Sequence, residues 1–173
     1  AGNKSKWSLG KTFNQRIAYS TDGGKSIAKL EGSVVKHISE ENRDPKVYWH
    51  EESRAFYMVL YLKANDFMIL RSKDLKNWKK TQVLTLDQAS ECPDLREVPV
   101  EGGGSKWMFW TADGFYFLGD FDGYEFKSDG VRHEAYLTGI PYAAQTIWGT
   151  EDIITIPWLR TKNKGKMYTG VMG

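Results

Sequence analysis

The sequence predicts an all-β fold and, within that class, a β-propeller. Three observations lead there: short apolar or alternating runs bounded by Gly, Asp, Asn and Ser, almost no sustained helical spacing, and an internal repeat of 48 residues. Many short strands with frequent turn signals suit a sandwich, a barrel or a propeller. The repeat separates these, because a strand-built period of about 40–50 residues is the mark of propeller blades.

Strands are expected at 15–20, 46–49, 56–62, 66–71, 106–111, 114–119, 134–137, 143–147 and 153–158. The repeat relates Pro45, Phe67, Leu70 and Asp74 to Pro93, Phe115, Leu118 and Asp122, each pair 48 residues apart. Trp78-Lys79 matches Phe126-Lys127 at the same offset, whereas Tyr57-Met58 matches Trp107-Met108 at 50, so a loop in the first hairpin absorbs two residues. A third copy of the outer hairpin reads Ile17-Ala18-Tyr19-Ser20-Thr21-Asp22-Gly23-Gly24, and its Ser-x-Asp matches Ser72-Lys73-Asp74. Asp and Gly suit a tight turn there, the one by bonding nearby backbone N–H groups and the other by tolerating positive φ. Gly102-Gly103-Gly104 reads as a hairpin loop and Arg160 to Lys166 as a solvated basic hairpin.

Composition bounds the function. With 173 residues and 40% hydrophobic content, the chain can bury one real core, so a single domain over 1–173 is expected. A net charge of +2, with both signs mixed along the chain, gives no basic face for nucleic acid or an anionic membrane. No apolar run approaches the roughly 20 residues of a membrane span. One cysteine, Cys92, excludes an intrachain disulfide and a cysteine-based zinc site. His37, His50 and His133 lack metal-ligand spacing and read as surface or loop residues, so no metal is expected. The chain reads as cytoplasmic or as secreted with a leader removed, and composition leaves that choice open. Aromatic content is high, at 14%, which suits both half-buried sheet surfaces and the flat platforms on which sugar rings lie.

Two acidic motifs sit at equivalent points of successive repeats, Arg43-Asp44-Pro45 and Glu91-Cys92-Pro93-Asp94. In a propeller such points surround one axis, so Asp44 and Glu91 are expected at one end of a shared central cleft. Glycoside hydrolysis uses a carboxyl pair of this kind, one group protonating the leaving oxygen while another attacks or activates water. Spacing alone favours the simpler reading, with turn residues at Asp44 and Asp94 and a solvated charge at Glu91.

The segments Glu41-Asn42-Arg43-Asp44-Pro45-Lys46-Val47, Ser90-Glu91-Cys92-Pro93-Asp94-Leu95 and Tyr142-Ala143-Ala144-Gln145-Thr146 resemble three signature segments of glycoside hydrolase family 32, the β-fructosidases, in the right order. Ile17 to Ser20, Lys73 to Trp78 and Phe121-Asp122-Gly123 resemble that family's blade framework, so the likeness covers nearly the whole chain. The resemblance implies a five-bladed propeller of which about three blades are present, acting on sucrose, levan or inulin by double displacement without a cofactor. By it, Glu91 is the general acid/base and Asp44 holds fructosyl hydroxyls and stabilises the transition state. Arg43, Tyr142 and Gln145 line the substrate pocket. Burial beside other carboxylates is expected to raise the Glu91 pKa, as an acid needs. Cys92 is expected to pack as a small apolar group behind Glu91.

The family's nucleophile lies in an Asn-Asp-Pro-Asn-type segment of the first blade, and the sequence holds no such run; Asn65-Asp66 leads into Phe67-Met68 instead. The first blade and a C-terminal β-sandwich are therefore read as missing, and the chain alone is expected to be inactive. A non-catalytic or vestigial carbohydrate-binding propeller, or a structural segment of an assembly, is the alternative. Either way the partner expected is a fructose-containing oligo- or polysaccharide. Unpaired end blades further predict a homo-oligomer or a complementary propeller fragment.

Overall fold

The computed structural model describes residues 6, 9–147, 149–163 and 166–172, and every regular element among them is a strand. A short hairpin, β1 (Ala18–Tyr19) and β2 (Ala28–Lys29), comes first. The first full sheet is a four-stranded antiparallel meander of β3 (Arg43–His50), β4 (Ala55–Lys63), β5 (Asp66–Ser72) and β6 (Lys79–Thr85). The second repeats it with β7 (Asp94–Pro99), β8 (Ser105–Trp110) and β9 (Phe115–Phe121). Its outer edge is divided between β10 (Phe126–Ser128) and β11 (His133–Glu134), which pair with opposite ends of β9. A third sheet holds β12 (Pro141–Thr146), β13 (Thr155–Asn163) and β14 (Lys166–Met172). These successive meanders are blades of a β-propeller.

The unbroken apolar run in β4 follows from burial on both of its faces. Tyr57, Val59 and Tyr61 point to one side and join Phe67 and Ile69 of β5 against Leu95, Phe109, Phe117, Phe121 and Phe126 of the second sheet. Met58, Leu60 and Leu62 point to the other side and pack with Met68 and Leu70 under Val34 and Val35. Where the blades meet, Phe109 makes an edge contact with Phe67 at 5.2 Å and a tilted one with Phe126 at 5.6 Å. Gln82 joins the same two blades like an extra peptide group: its Nε2 donates to Phe126 O at 2.9 Å and its Oε1 accepts from Phe126 N at 2.8 Å.

The sequence repeat is visible as repeated hydrogen bonding. Asp74 Oδ1 accepts from the backbone N–H groups of Lys76 and Asn77, and Asp122 Oδ1 accepts from those of Tyr124 and Glu125. Ser20 and Ser72 each bond the Asp two residues on, at 2.7 and 3.0 Å. Gly102, Gly103 and Gly104, all at positive φ, form the loop between β7 and β8.

Three expectations are corrected. Strands β2, β6, β7 and β10 were not foreseen, β14 was expected only as the return of the basic hairpin, and β1 is shorter than 15–20. Strand β6 (KKTQVLT) and β7 (DLREVP) are edge strands with exposed or half-exposed residues along much of their length, so apolar alternation is weak in them. His50 is not a surface histidine: it is 5% exposed, bonds Ser53 Oγ through Nδ1 at 2.9 Å, and packs on Trp107 and Phe121 of the next blade. The basic stretch does form the β13–β14 hairpin, although Lys164 lies outside the described residues.

Candidate active site

Each blade begins at an edge strand, and the three edges adjoin. Asp44, Cys92 and Ala143 occupy the same place in the three segments and all adopt left-handed backbone, with φ of 57°, 41° and 51°. Pairing shifts register across this point, between Arg43 and Lys46 on β3 and between Tyr142 and Gln145 on β12. Such a bulge re-aims side chains that simple alternation would send to opposite faces. Pro45, with no N–H to offer, is tolerated at an edge-strand bulge. The residue before each bulge and the residue two after it therefore both reach toward the neighbouring blades.

The residues before the bulge are Arg43, Glu91 and Tyr142, and they form one chain. Arg43 Nη2 donates to Glu91 Oε1, and the Tyr142 hydroxyl donates to Glu91 Oε2. Arg43 also lies 3.4 Å from Glu41 Oε1 and 3.7 Å from Asp44 Oδ2, so three carboxylates share one guanidinium, which rests on the Tyr61 ring. Asp44 Oδ2 accepts from the Cys92 N–H at 3.3 Å and from its Sγ at 3.6 Å. Asp44 and Glu91 thus stand on adjoining edges around one cation. Asn42 is fully buried and holds the approach to β3, its Oδ1 accepting from the N–H groups of Ile38 and Ser39.

The residues after the bulge form a second chain, of which sequence reasoning assigned only Gln145. Lys46 Nζ donates to Gln145 Oε1 at 3.1 Å and to Thr146 O at 3.0 Å, and lies 3.9 Å from Asp94 Oδ2. The structure therefore groups Arg43, Asp44, Glu91 and Tyr142, and holds Gln145 in the adjoining layer. The signal for Lys46 and Asp94 was their shared offset of 48 residues within segments already singled out.

Electrostatics correct two expectations. Burial does push the Glu91 carboxyl up, but hydrogen bonds from Tyr142 and Arg43 and the Arg43 charge outweigh it and leave the pKa lowered. The neighbour that matters most is a cation rather than a second carboxylate. Cys92 is not simply an apolar filler, since both its N–H and its thiol bond Asp44; burial, then the Asp44 charge, pushes the thiol up to about 12. It is a protonated donor at neutral pH. Burial and the Glu91 carboxylate raise the Tyr142 phenol, which likewise stays protonated.

The chain is similar to an invertase of Debaryomyces hansenii, 36% identical over 170 residues that cover 87% of this chain and 32% of the relative. It is 35% identical to a levanase of Bacillus subtilis over 78% of this chain and 23% of that protein. Among solved structures, the fructofuranosidase of Schwanniomyces occidentalis complexed with fructose superposes with a TM-score of 0.77 at 33% identity, covering 83% of this chain and 32% of the other. An exo-inulinase of Aspergillus awamori gives 0.70 at 26% identity over 83% of this chain and 35% of the other. The chain spans about a third or less of the length of these relatives. Its blades are part of a five-bladed β-propeller, and residues 1–171 match the family model described as the glycosyl hydrolases family 32 N-terminal domain. The three segments that meet around Arg43 thus lie within the matched region, and the chain belongs to glycosyl hydrolases family 32.

Proposed function

We propose that this site serves the hydrolysis of β-fructofuranosidic bonds in sucrose or in fructans such as levan and inulin, in the complete enzyme. The observation that carries the reading is the convergence of Asp44 and Glu91, from two different blades, on Arg43. Glu91 is the general acid/base, Asp44 binds fructosyl hydroxyls and stabilises the positive charge that develops on the sugar, and Tyr142 and Arg43 orient Glu91. Gln145 is held in the adjoining layer by accepting a hydrogen bond from Lys46.

Glu91 can donate a proton only when Arg43 loosens its hold. Asp44 and Glu41 compete for the same guanidinium, and a sugar that pulls Arg43 toward Asp44 raises Glu91 toward the protonated form. No cofactor enters this chemistry. The second carboxylate of a double displacement, about 5–5.5 Å from the acid in retaining enzymes, belongs to a segment of the Asn-Asp-Pro-Asn type, which residues 1–173 do not contain. A complementary part of the propeller supplies it.

The test is fructose binding to the chain, followed by NMR of Tyr142 and of the Glu91 side chain, with released fructose measured from sucrose, inulin and levan. The expected result is perturbation at Glu91 and Tyr142 that disappears in Asp44→Asn, with no appreciable turnover by the chain alone. Absence of any perturbation by fructose, sucrose or inulin overturns the reading. Turnover lost in Glu91→Gln would place the nucleophile within these 173 residues.

A further inference from the structure

We propose that Lys46 and Asp94 are positioning residues for Glu91, forming with Tyr48, Gln145 and Thr146 a bracket that holds the edges of three blades at the spacing the Arg43–Glu91–Tyr142 chain requires. The proposal rests on the reading of Glu91 as the acid/base and concerns how its surroundings are held.

The two layers repeat each other. In each, the first blade contributes a cation (Arg43, Lys46), the second a carboxylate (Glu91, Asp94) and the third neutral groups (Tyr142; Gln145 and Thr146). Burial separates them, for the Asp94 side chain is 2% exposed and that of Glu91 30%. Both Asp94 oxygens are satisfied from different blades: Oδ1 accepts from the Tyr48 hydroxyl at 2.9 Å and Oδ2 from the Thr146 N–H at 2.9 Å. Lys46 Nζ has acceptors at Gln145, Thr146 and Asp94, and lies 5.6 Å from the Tyr48 ring centre.

A buried carboxylate bonded in this way resists displacement, because moving any one strand leaves a charge without its partners. The resistance reaches the outer layer through very little chain. Arg43, Glu91 and Tyr142 each lie three residues before their bracket counterparts, at most about 10 Å of extended backbone, and a left-handed residue lies between the two in all three segments. A slip of β12 against β7 would break the Thr146–Asp94 bond and carry the Tyr142 hydroxyl off Glu91 together.

The test reads the titration of Glu91 by carboxyl NMR in folded variants, alongside thermal unfolding. Arg43, Asp44, Cys92 and Tyr142 face Glu91, with Glu41 and Tyr61 around Arg43, and all are left in place. Asp94→Asn separates the two possible effects by sign. Removing a negative charge by itself lowers the Glu91 midpoint, whereas losing the hydrogen bonds of Arg43 and Tyr142 raises it. The expected result is a rise of about half a pH unit or more in Asp94→Asn and in the charge-neutral double variant Lys46→Met/Asp94→Asn. Lys46→Arg retains the native midpoint, and Val59→Ala, which weakens the core without touching the bracket, leaves it unmoved. If Asp94→Asn does not fold, Tyr48→Phe, which removes one Asp94 hydrogen bond and no charge, carries the same expectation. A midpoint unchanged or lowered in the folded variants, or raised equally by Val59→Ala, overturns the proposal. Because the readout is titration rather than cleavage, a chain that binds no fructose refutes the functional reading and leaves this relation to be judged separately.

Discussion

Arg43 and Glu91 lie 48 residues apart, at the same position of successive blades, and are bonded to each other. The pair couples the site's protonation to the stability of the blade junction. Glu91 has a folded pKa lowered from the ordinary 4.5, so its contribution to stability is present above that value and is lost as pH falls through the lowered folded value.

Urea unfolding followed from neutral pH to about pH 3 should therefore show a steeper loss of stability in the native chain than in Glu91→Gln. Arg43→Leu should lift the Glu91 midpoint and flatten the same limb of the curve. Identical pH profiles for the native chain and Glu91→Gln would mean that Glu91 is not ionically engaged in solution.

Gln82 closes the two backbone groups of Phe126, a residue 2% exposed, that would otherwise face the blade junction unpaired. Gln82→Leu leaves both without a partner and is expected to cost about 2 kcal/mol in chemical denaturation. A loss within the range of ordinary surface substitutions, about 0.5 kcal/mol, would show that water replaces the amide.

Gly123 has φ of 86°, and a Cβ there would lie 2.4 Å from Ser53 Oγ and 2.7 Å from His50 Nδ1 of the preceding blade. Gly103, at φ 99°, faces open space. Gly103→Ala should cost about 1–2 kcal/mol through backbone strain alone, and Gly123→Ala clearly more, because it also pushes the blades apart. Equal losses in thermal melts would place no close blade contact at Gly123.

The third sheet and its loops expose Ile140, Ile147, Ile153, Ile154 and Trp158, each between 37% and 46% accessible. An apolar surface of this kind invites association. Light scattering after size exclusion should find self-association at micromolar concentration, reduced in Ile154→Lys. A monomer that binds no hydrophobic dye would contradict this expectation.

Much of the blade was legible in the chain. Phe67 and Ile69 alternate with Met68 and Leu70 because β5 is buried on both faces, and Asp74 and Asp122 recur because each closes the same turn. The less apolar edges β6 and β7 were not legible, since single apolar anchors, Leu84 and Leu95, and polar side chains such as Gln82 make their contacts, and isolated positions carry no period.

The sequence by itself determined the strands that are buried, the 48-residue repeat and the three segments from which the site is built. It did so because burial imposes alternation and equivalent blades need equivalent turn residues. Tertiary structure alone decided what those segments do to one another. Left-handed backbone at Asp44, Cys92 and Ala143 turns each edge so that residues on either side of the bulge face the next blade. That geometry sets Arg43, rather than another carboxylate, against Glu91 and reverses the pKa shift expected from burial beside other carboxylates. It also buries Lys46 against Asp94 and Gln145, a contact across 99 residues of sequence that no local pattern encodes.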